Sequence, residues 1–392
     1  MLWLNLLHIY QPPQQKKEII KKITKESYSK ILNILKKRPA EKITLNINGS
    51  LTEQFDKYGF KNIINDIKKL VEKGQIELVE SAKYHFILPL VPEQEIIRQI
   101  ELNHKTNQKY FGKIYNPKGF FIPELAYSFK VAKILKKLGY QWIVLDEIAI
   151  KEKNIQDSFY QIKGLNNFYV FFRNQKISNL FFKGEIKNSK DFFEILKKIN
   201  LKNNVLITAL DGENLGHHQL KMAEIWQEIL DSKKIQTTTF SEYLNRELNK
   251  NLKNIKIIEP RECSWSSKEV ELKKGIPFAL WDNPNNEIHQ LQWKLSRLAI
   301  KIVSQLKQKN PSDLKYQNIR KVLDQALFSC QYWWASRDPN WSPGMIKKGA
   351  EKLLKVIELS CETKFITLDS FQKAKNLYNK IIFTAEKWEK KR

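Results

Sequence analysis

The sequence predicts an α/β protein in which a parallel β-sheet, open or closed into a barrel, precedes a helical region. Strand-like apolar runs alternate with amphipathic helical patterns from the first residues to about residue 245. The strand pattern stops after about residue 255, and helical patterns broken by turn sequences fill the remainder. We therefore expect an α/β domain over residues 1–255 and a helical C-terminal domain over residues 256–392.

Seven apolar runs have the length and composition of buried strands. They lie at residues 2–8, 43–48, 75–79, 119–124, 141–146, 168–173 and 205–211. The segments between them space their apolar residues for one helix face, as Ile63, Ile64, Ile67, Leu70 and Val71 do. Because strands that alternate with helices pair in parallel, the seven runs predict one parallel sheet or barrel.

The net charge of +26 over 392 residues raises the possibility of a partner that is a nucleic acid or another polyanion. The basic residues are spread along the chain, mostly as lysine pairs on predicted helices such as "DIKKLVEKG". No basic tail and no arginine-rich block is present. This distribution is typical of solvated helix faces, and we expect no nucleic-acid partner.

The chain also lacks the sequence features of a membrane or secreted disulfide-rich protein. No apolar run approaches the length needed to cross a bilayer, and "MLWLNLLHIYQPP" has no basic residues before its apolar part. Three widely spaced cysteines, Cys263, Cys330 and Cys361, do not form a disulfide framework. We expect a cytoplasmic protein without a membrane partner. The sequence leaves the oligomeric state open.

Polar residues able to do chemistry lie at or near the end of each predicted strand. They are His8, Asn48, Glu77, Glu124, Asp146, Arg173 and Asp211. In parallel sheets and barrels, the carboxyl ends of the strands meet at one edge, where binding and catalytic sites form. Loops favour polar residues, so each position alone is weak evidence. Seven together predict a site at this edge, and Asn48 is a candidate for binding substrate there.

Glu124 and Asp211 are carboxylates that end or follow strongly apolar runs, "KGFFIPE" and "VLITALD". Carboxyl groups in apolar surroundings have shifted pKa values and suit the roles of nucleophile or proton donor. A carboxylate pair on either side of a bond is the usual apparatus for hydrolysing or transferring a sugar. The alternative for either residue is an N-cap on the helix that follows.

A metal site is the alternative for the segment that contains Asp211, His217 and His218. The sequence has neither an HxxxH nor an HExxH pair, and adjacent histidines on a helix point in different directions. We therefore expect neither metal nor cofactor. A metal-dependent polysaccharide deacetylase, which has a similar barrel, stays open as a second enzyme class.

Tryptophans are dense in the second half of the chain, as in "ECSWSS" and "CQYWWASRDPNWSPG". Flat aromatic faces stack on sugar rings, although most tryptophans pack in cores. Trp293 follows a helical pattern and is expected in the core, whereas Trp265 and Trp334 are candidates for ligand contact. Aromatic residues beside lysines also bind nucleic-acid bases, but no RNA- or DNA-binding signature accompanies them.

Five segments, in order along the chain, resemble the five conserved regions of glycoside hydrolase family 57, whose members act on α-1,4-glucans. The segments are "LHIYQP" (7–12), "KGQIELVES" (73–81), "GFFIPELAYS" (119–128), "ALDGENLGHH" (209–218) and "QYWWAS" (331–336). The resemblance implies a (β/α)7 pseudo-TIM barrel and a helical C-terminal domain packed against its catalytic rim. It also implies a retaining reaction on an α-glucan, with hydrolysis and transglycosylation both open.

The resemblance further implies roles for individual residues. Glu124 corresponds to the nucleophile and Asp211 to the general acid/base, with the two carboxyl groups about 5–5.5 Å apart. The sugar is bound by three residues beside the nucleophile, His8, Gln11 and Glu77. Glu213 and His217 are implied as partners of sugar hydroxyls or of the catalytic groups.

Overall fold

The computed structural model describes residues 1–151, 157–199, 201–250, 255–309, 312–363 and 367–390. The chain divides into two compact units. The barrel unit comprises Met1–Lys83 and Leu88–Trp265. The helical unit comprises Tyr84–Ile87 and Ser266–Arg392.

Strands of the barrel unit lie at all seven positions that the apolar runs predict. The strands described are β1 (Leu2–Ile9), β2 (Ile43–Ile47), β3 (Ile76–Val79), β4 (Gly119–Phe120), β5 (Trp142–Asp146), β6 (Phe159–Ile162), β7 (Tyr169–Arg173), β8 (Val205–Asp211), β9 (Gln236–Thr238) and β10 (Ile257–Ile258). Of these, β6, β9 and β10 are short strands that the sequence pattern did not predict.

Helices follow the strands in the pattern of repeated strand–helix units. In the barrel unit they are α1 (Lys17–Ile23), α2 (Ser29–Lys36), α3 (Gly49–Lys57), α4 (Lys61–Glu72), α5 (Glu93–Phe111), α6 (Phe129–Lys137), α7 (Gln175–Lys183), α8 (Ser189–Lys197), α9 (Met222–Asp231) and α10 (Phe240–Asn249). A π-helical turn, Thr24–Tyr28, joins α1 to α2.

The strands form two sheets that are joined edge to edge. One has the order β3-β2-β1-β8, with β9 also beside β1, and the other has the order β10-β6-β7-β5-β4. At one seam Glu80, just after β3, pairs in parallel with Phe120 of β4. At the other seam the Asn174 amide donates to the Ile207 carbonyl, 2.7 Å away. Seven parallel strands therefore follow one another in a closed ring: β1, β2, β3, β4, β5, β7 and β8.

Strand alternation divides the side chains of the barrel unit into two cores. One core fills the interior of the ring and includes Leu4, Leu6, Val144 and Phe171. The other lies under the surrounding helices and includes Trp3, Leu7, Ile9, Leu45, Leu78 and Leu206.

Helix α10 closes the amino-terminal end of the ring. It follows β9, which pairs with Leu2–Leu4 at the beginning of β1. Its side chains Phe240, Tyr243 and Leu244 join the interior core. Since this end is filled, we look for a site at the opposite edge, the carboxyl rim, where the polar strand ends meet.

The helical unit contains helices α11 (Glu269–Lys273), α12 (Glu287–Lys309), α13 (Leu314–Ala326), α14 (Cys330–Trp333), α15 (Pro343–Cys361) and α16 (Leu368–Glu389). Trp293 of α12 is buried and stacks on Tyr332 with ring centroids 4.3 Å apart and planes 6° apart. Its indole N–H donates to the Trp281 carbonyl over 2.9 Å. Trp293 is therefore a core residue, as its helical pattern predicts. No helix among the described residues combines the length and apolarity that a membrane span requires.

Gly119 in β4 is predicted to be indispensable for the packing of the ring. A Cβ atom at this position would lie 2.1 Å from the indole of the buried Trp142, which has no room to move. We expect Gly119→Ala to lower the free energy of unfolding by about 3 kcal/mol, measured by urea denaturation. Gly344→Ala is the matched control, because a Cβ there meets no heavy atom within 4 Å. Equal stabilities of the two variants would contradict this account of the packing.

Candidate active site

His8, Asn46 and Asp211 lie side by side at the carboxyl rim of the barrel. The pairing of β1 with β2 places His8 opposite Asn46, and the pairing of β1 with β8 places His8 opposite Asp211. The Asn46 amide nitrogen donates to the Val79 carbonyl, so its oxygen faces His8 Nδ1 at 2.6 Å. Burial lowers the pKa of His8 to about 4. The imidazole is therefore neutral at pH 7, with its proton on Nδ1.

The His8 ring is one layer of an aromatic wall at the rim. It stacks on Phe121 with ring centroids 4.3 Å apart and planes 13° apart. Phe121 in turn contacts Trp265 edge to face at 6.0 Å. Apolar rings that surround polar groups reduce the effective dielectric constant and strengthen the charge interactions of those groups.

Glu124 lies on a tight turn, Pro123–Leu125, directly after β4. Its backbone has φ +59°, a left-handed conformation that is unfavourable for a residue other than glycine. Trp265 holds this turn in two ways. Its amide donates to the Glu124 carbonyl over 3.1 Å, and its indole N–H donates to Glu124 Oε2 over 2.8 Å. Burial raises the pKa of Glu124 to about 7, and the bond from Trp265 opposes that rise.

Asp211 is the last residue of β8 and begins the turn Gly212–Asn214. Its side chain accepts no capping bond from that turn, so the N-cap alternative does not describe it. Burial raises the pKa of Asp211 well above its ordinary value. The charges of Glu213 and Glu124 raise it further, whereas Arg173 lowers it. The Asp211 carboxyl group therefore holds its proton more tightly than an ordinary aspartic acid does.

Glu213 lies two residues after Asp211 in the sequence. Its side chain is buried and accepts hydrogen bonds from three donors. The Tyr28 hydroxyl, the Gln11 side-chain amide at 3.0 Å and the Tyr10 amide at 3.4 Å all donate to its Oε1. Burial raises the pKa of Glu213, and these bonds oppose that rise. Hydrogen bonds to a carboxylate favour the ionised form. The three donors therefore favour a shared proton on Asp211 over one on Glu213.

Asp146 and Arg173 form a buried ion pair at the same rim, and the sequence reasoning assigned them no role. They are register partners on β5 and β7, and the guanidinium donates to Asp146 Oδ2 over 2.6 Å. Arg173 also donates to the Ala209 carbonyl on β8, and its Cζ lies 5.2 Å from the centre of the Trp265 ring. Opposite charges at the ends of two predicted strands were the sequence signal for this pair.

The structure does not bring Glu77 to the rim, which corrects its prediction as a sugar-binding residue. It pairs with Thr44, one inward-facing layer below Asn46. Its carboxylate accepts a bond from the Thr44 hydroxyl and one from the Ser241 amide in the first turn of α10, each over 3.1 Å. Strand periodicity predicts that Glu77 faces inward, but it does not predict the depth of the residue in the barrel.

Asn48 lies one residue beyond β2 and is fully buried. Its amide nitrogen donates to the Ala82 carbonyl, which joins the loops after β2 and β3. Among the described residues its Oδ1 has no hydrogen-bond partner. The predicted contact of Asn48 with substrate stays a prediction.

His217 is paired with Glu26, with Nδ1 and Oε2 2.6 Å apart, rather than with Glu124 or Asp211. The same bond lowers the pKa of Glu26. His218 lies beside it and is exposed. Among the described residues no three His, Cys, Asp or Glu side chains are grouped as ligands for one metal ion.

Trp334 belongs to the helical unit, where it follows α14. It contacts Trp333 edge to face, with ring centroids 4.9 Å apart, and both rings are partly exposed. Its predicted contact with substrate stays a prediction, as does the role of the helical domain in completing the cleft.

A closed ring of parallel strands with interacting carboxyl groups at its carboxyl rim is the arrangement of a barrel-type glycoside hydrolase. Comparison with known families agrees with this class. The chain belongs to glycosyl hydrolase family 57, whose pattern matches residues 3–272.

Two relatives align with the chain over 287 positions, and each alignment covers 69% of this chain. It is 26% identical to an α-amylase of Pyrococcus horikoshii and 23% identical to a 4-α-glucanotransferase of Thermococcus litoralis. The matches cover 44% and 43% of those two proteins, so the chain spans less than half of their length.

Solved structures of the same family share the fold. A branching enzyme of the family from Pyrococcus horikoshii has a TM-score of 0.74 at 17% identity, covering 96% of this chain and 94% of its own. The Thermococcus litoralis 4-α-glucanotransferase has a TM-score of 0.68 at 19% identity, covering 91% of this chain and 59% of its own. The predicted fold class, a (β/α)7 barrel followed by a helical region, is confirmed.

Glu124→Gln is predicted to stabilise the protein at high pH. The folded pKa of about 7 lies above the ordinary value of 4.5, so the folded state binds the proton more tightly than the unfolded chain. Wild-type stability therefore falls as pH rises from 4.5 through 7, and this loss is absent in the Gln variant. We expect a gain of about 2 kcal/mol at pH 8 and none near pH 4, measured by urea unfolding. A less stable variant at pH 8 would contradict the cost assigned to this buried carboxylate.

Proposed function

We propose that the chain is a retaining glycoside hydrolase or transglycosylase that acts on α-1,4-glucans. The observation that carries the proposal is the interaction of Glu124 with Asp211 across the rim, where each carboxyl group has a raised pKa. Two carboxyl groups with different proton affinities can divide the roles of nucleophile and proton donor. The names of the two relatives agree with an α-glucan substrate.

In the first step, the ionised Glu124 attacks the anomeric carbon of the sugar and forms a glycosyl–enzyme ester. Asp211 gives its proton to the glycosidic oxygen, so the leaving sugar departs as a neutral alcohol and Asp211 becomes a carboxylate. In the second step, Asp211 takes the proton of a water or of a sugar hydroxyl as that oxygen attacks the anomeric carbon. Glu124 then leaves as a carboxylate, and the anomeric configuration is retained.

The neighbours of the pair have matching roles in the proposal. His8, which is neutral, is proposed to bind the sugar beside the nucleophile, while the charged Arg173 limits the repulsion among the carboxylates. Trp265 orients Glu124 through its indole N–H. Its ring, which is partly exposed, supplies an apolar face for a pyranose. Gln11 acts on the site indirectly, because its amide is committed to Glu213.

We further propose a cytoplasmic location, because Cys263, Cys330 and Cys361 are all free thiols. Neither nucleic acid nor membrane is part of the proposed reaction. The experiments that follow also test two alternative functions. They are a metal-dependent polysaccharide deacetylase and a non-catalytic polyanion-binding protein.

The proposal predicts that incubation with maltoheptaose gives shorter or redistributed maltooligosaccharides. Glu124→Gln and Asp211→Asn should each lower the rate by about 10³-fold or more, because each removes one of the two required groups. The product profile from chromatography also decides between hydrolysis and transfer. Folded wild-type protein that leaves maltoheptaose and longer α-glucans unchanged would contradict the proposal.

Azide rescue separates the two roles. In Glu124→Ala, azide can replace the nucleophile and should give a β-glycosyl azide by one inversion. In Asp211→Ala, with an activated aryl α-glucoside, azide attacks the glycosyl–enzyme and should give the α-glycosyl azide. Loss of acetyl groups from an acetylated polysaccharide, abolished by EDTA, would favour the deacetylase. Steeply salt-dependent DNA or RNA binding would favour the polyanion-binding protein.

A further inference from the structure

Three consecutive residues of the π-helical turn bond to the loop that carries Asp211. We call the turn Thr24–Tyr28 the clamp. Glu26 pairs with His217 over 2.6 Å, the Ser27 hydroxyl donates to the Gly212 carbonyl over 2.7 Å, and the Tyr28 hydroxyl donates to Glu213. These contacts join residues about 190 positions apart in the sequence, and their partners Gly212, Glu213 and His217 all follow Asp211 in the loop.

The backbone of the clamp is adapted to this contact. The Ser29 amide donates to the Thr24 carbonyl, five residues back, which widens the helix by one residue. Such π-turns are frequent at functional sites. The loop that carries Asp211 also lies very close to the backbone of the clamp. Gly216 has φ +110°, and a Cβ on it would lie 2.2 Å from the Glu26 carbonyl oxygen. The close approach therefore depends on glycine at position 216.

We propose that the clamp is a positioning element for the acid/base group, in which Tyr28 holds Glu213 ionised beside Asp211 so that the transferable proton stays on Asp211. This inference rests on the proposed function of Asp211. Tyr28 acts through Glu213, so it is a positioning residue and not a catalytic one.

The charged groups that face Asp211 come from three elements. Glu213 lies on its own loop, Glu124 lies on the turn after β4, and Arg173 lies on β7, while His8 on the adjacent β1 is neutral. Glu213 is bonded to the clamp through the Tyr28 hydroxyl. Removing the Tyr28 hydroxyl weakens the ionised form of Glu213 and moves the shared proton from Asp211 toward Glu213. Asp211 is then a weaker proton donor at high pH.

Tyr28→Phe tests the proposal while the ring keeps its edge-to-face contact with Phe55. We expect the alkaline limb of the kcat/KM profile on a maltooligosaccharide to move about one pH unit lower. At pH values above that limb, kcat/KM of the variant is about tenfold lower than that of the wild type, because kcat falls while KM is nearly unchanged. A profile of unchanged shape, lowered equally at every pH, would overturn the proposal, because a merely structural role gives that result.

Tyr115→Phe is the matched control. Tyr115 is likewise buried, and its hydroxyl donates to the carboxylate of Glu80 over 2.9 Å, in a cluster with Asn103 behind the strands. This variant loses a tyrosine–carboxylate bond of the same kind outside the site. Its pH profile should match that of the wild type. An equal shift in Tyr115→Phe would show that the effect is general and would overturn the assignment to Tyr28.

A titration of the resting protein tests the clamp without relying on glucan activity or on a folded Tyr28 variant. Carboxyl carbons labelled with ¹³C are followed by NMR in the wild type and assigned with Asp211→Asn and Glu213→Gln. We expect Glu213 to lose its proton at lower pH than Asp211. The reverse order overturns the proposal. If the protein shows the expected order of deprotonation but has no activity on α-glucans, the proposed function fails and the clamp proposal does not.

Discussion

The repulsion among Glu124, Asp211 and Glu213 is the constraint on which the rest of the site depends. Two like charges about 5 Å apart at an effective dielectric constant of 20 repel by about 3 kcal/mol, so three ionised carboxylates cannot share a buried rim without compensation. Arg173 supplies one opposing charge, and the raised pKa values show that protons supply the remainder. Charge and burial together fix how many protons the site holds.

Hydrogen-bond donors then decide where those protons lie. Glu213 accepts from Tyr28, Gln11 and the Tyr10 amide, so its charged form is stabilised most. Glu124 accepts from the Trp265 indole, which favours the ionised form that a nucleophile requires. Asp211 accepts no bond from the turn it begins, and it retains its proton. Three chemically similar groups acquire different roles because their surroundings differ.

The strands that carry this site can be predicted from the sequence, but most contacts between its side chains cannot. Strand periodicity predicts seven strands and the rim that holds His8 and Asp211, since both follow from local alternation. It places Glu77 on the correct face but at the wrong depth, because depth depends on register with β2 and on the position of α10. No local pattern marks Tyr28 either, because its role depends on Glu213, 185 residues away.

The site is therefore built from both local and distant parts of the chain, and each part has a distinct physical effect. The ladders between β1, β2 and β8 fix His8, Asn46 and Asp211 at one level. Rigid strand ends suit groups whose separation must be exact to a fraction of an ångström. The proton affinities of Glu124 and Glu213, in contrast, are raised by burial and lowered by bonds from Trp265 and Tyr28, which reach the rim from outside the seven strands. Removal of the Tyr28 hydroxyl can thus change proton affinity at the rim while the strand pairs that fix His8, Asn46 and Asp211 are preserved.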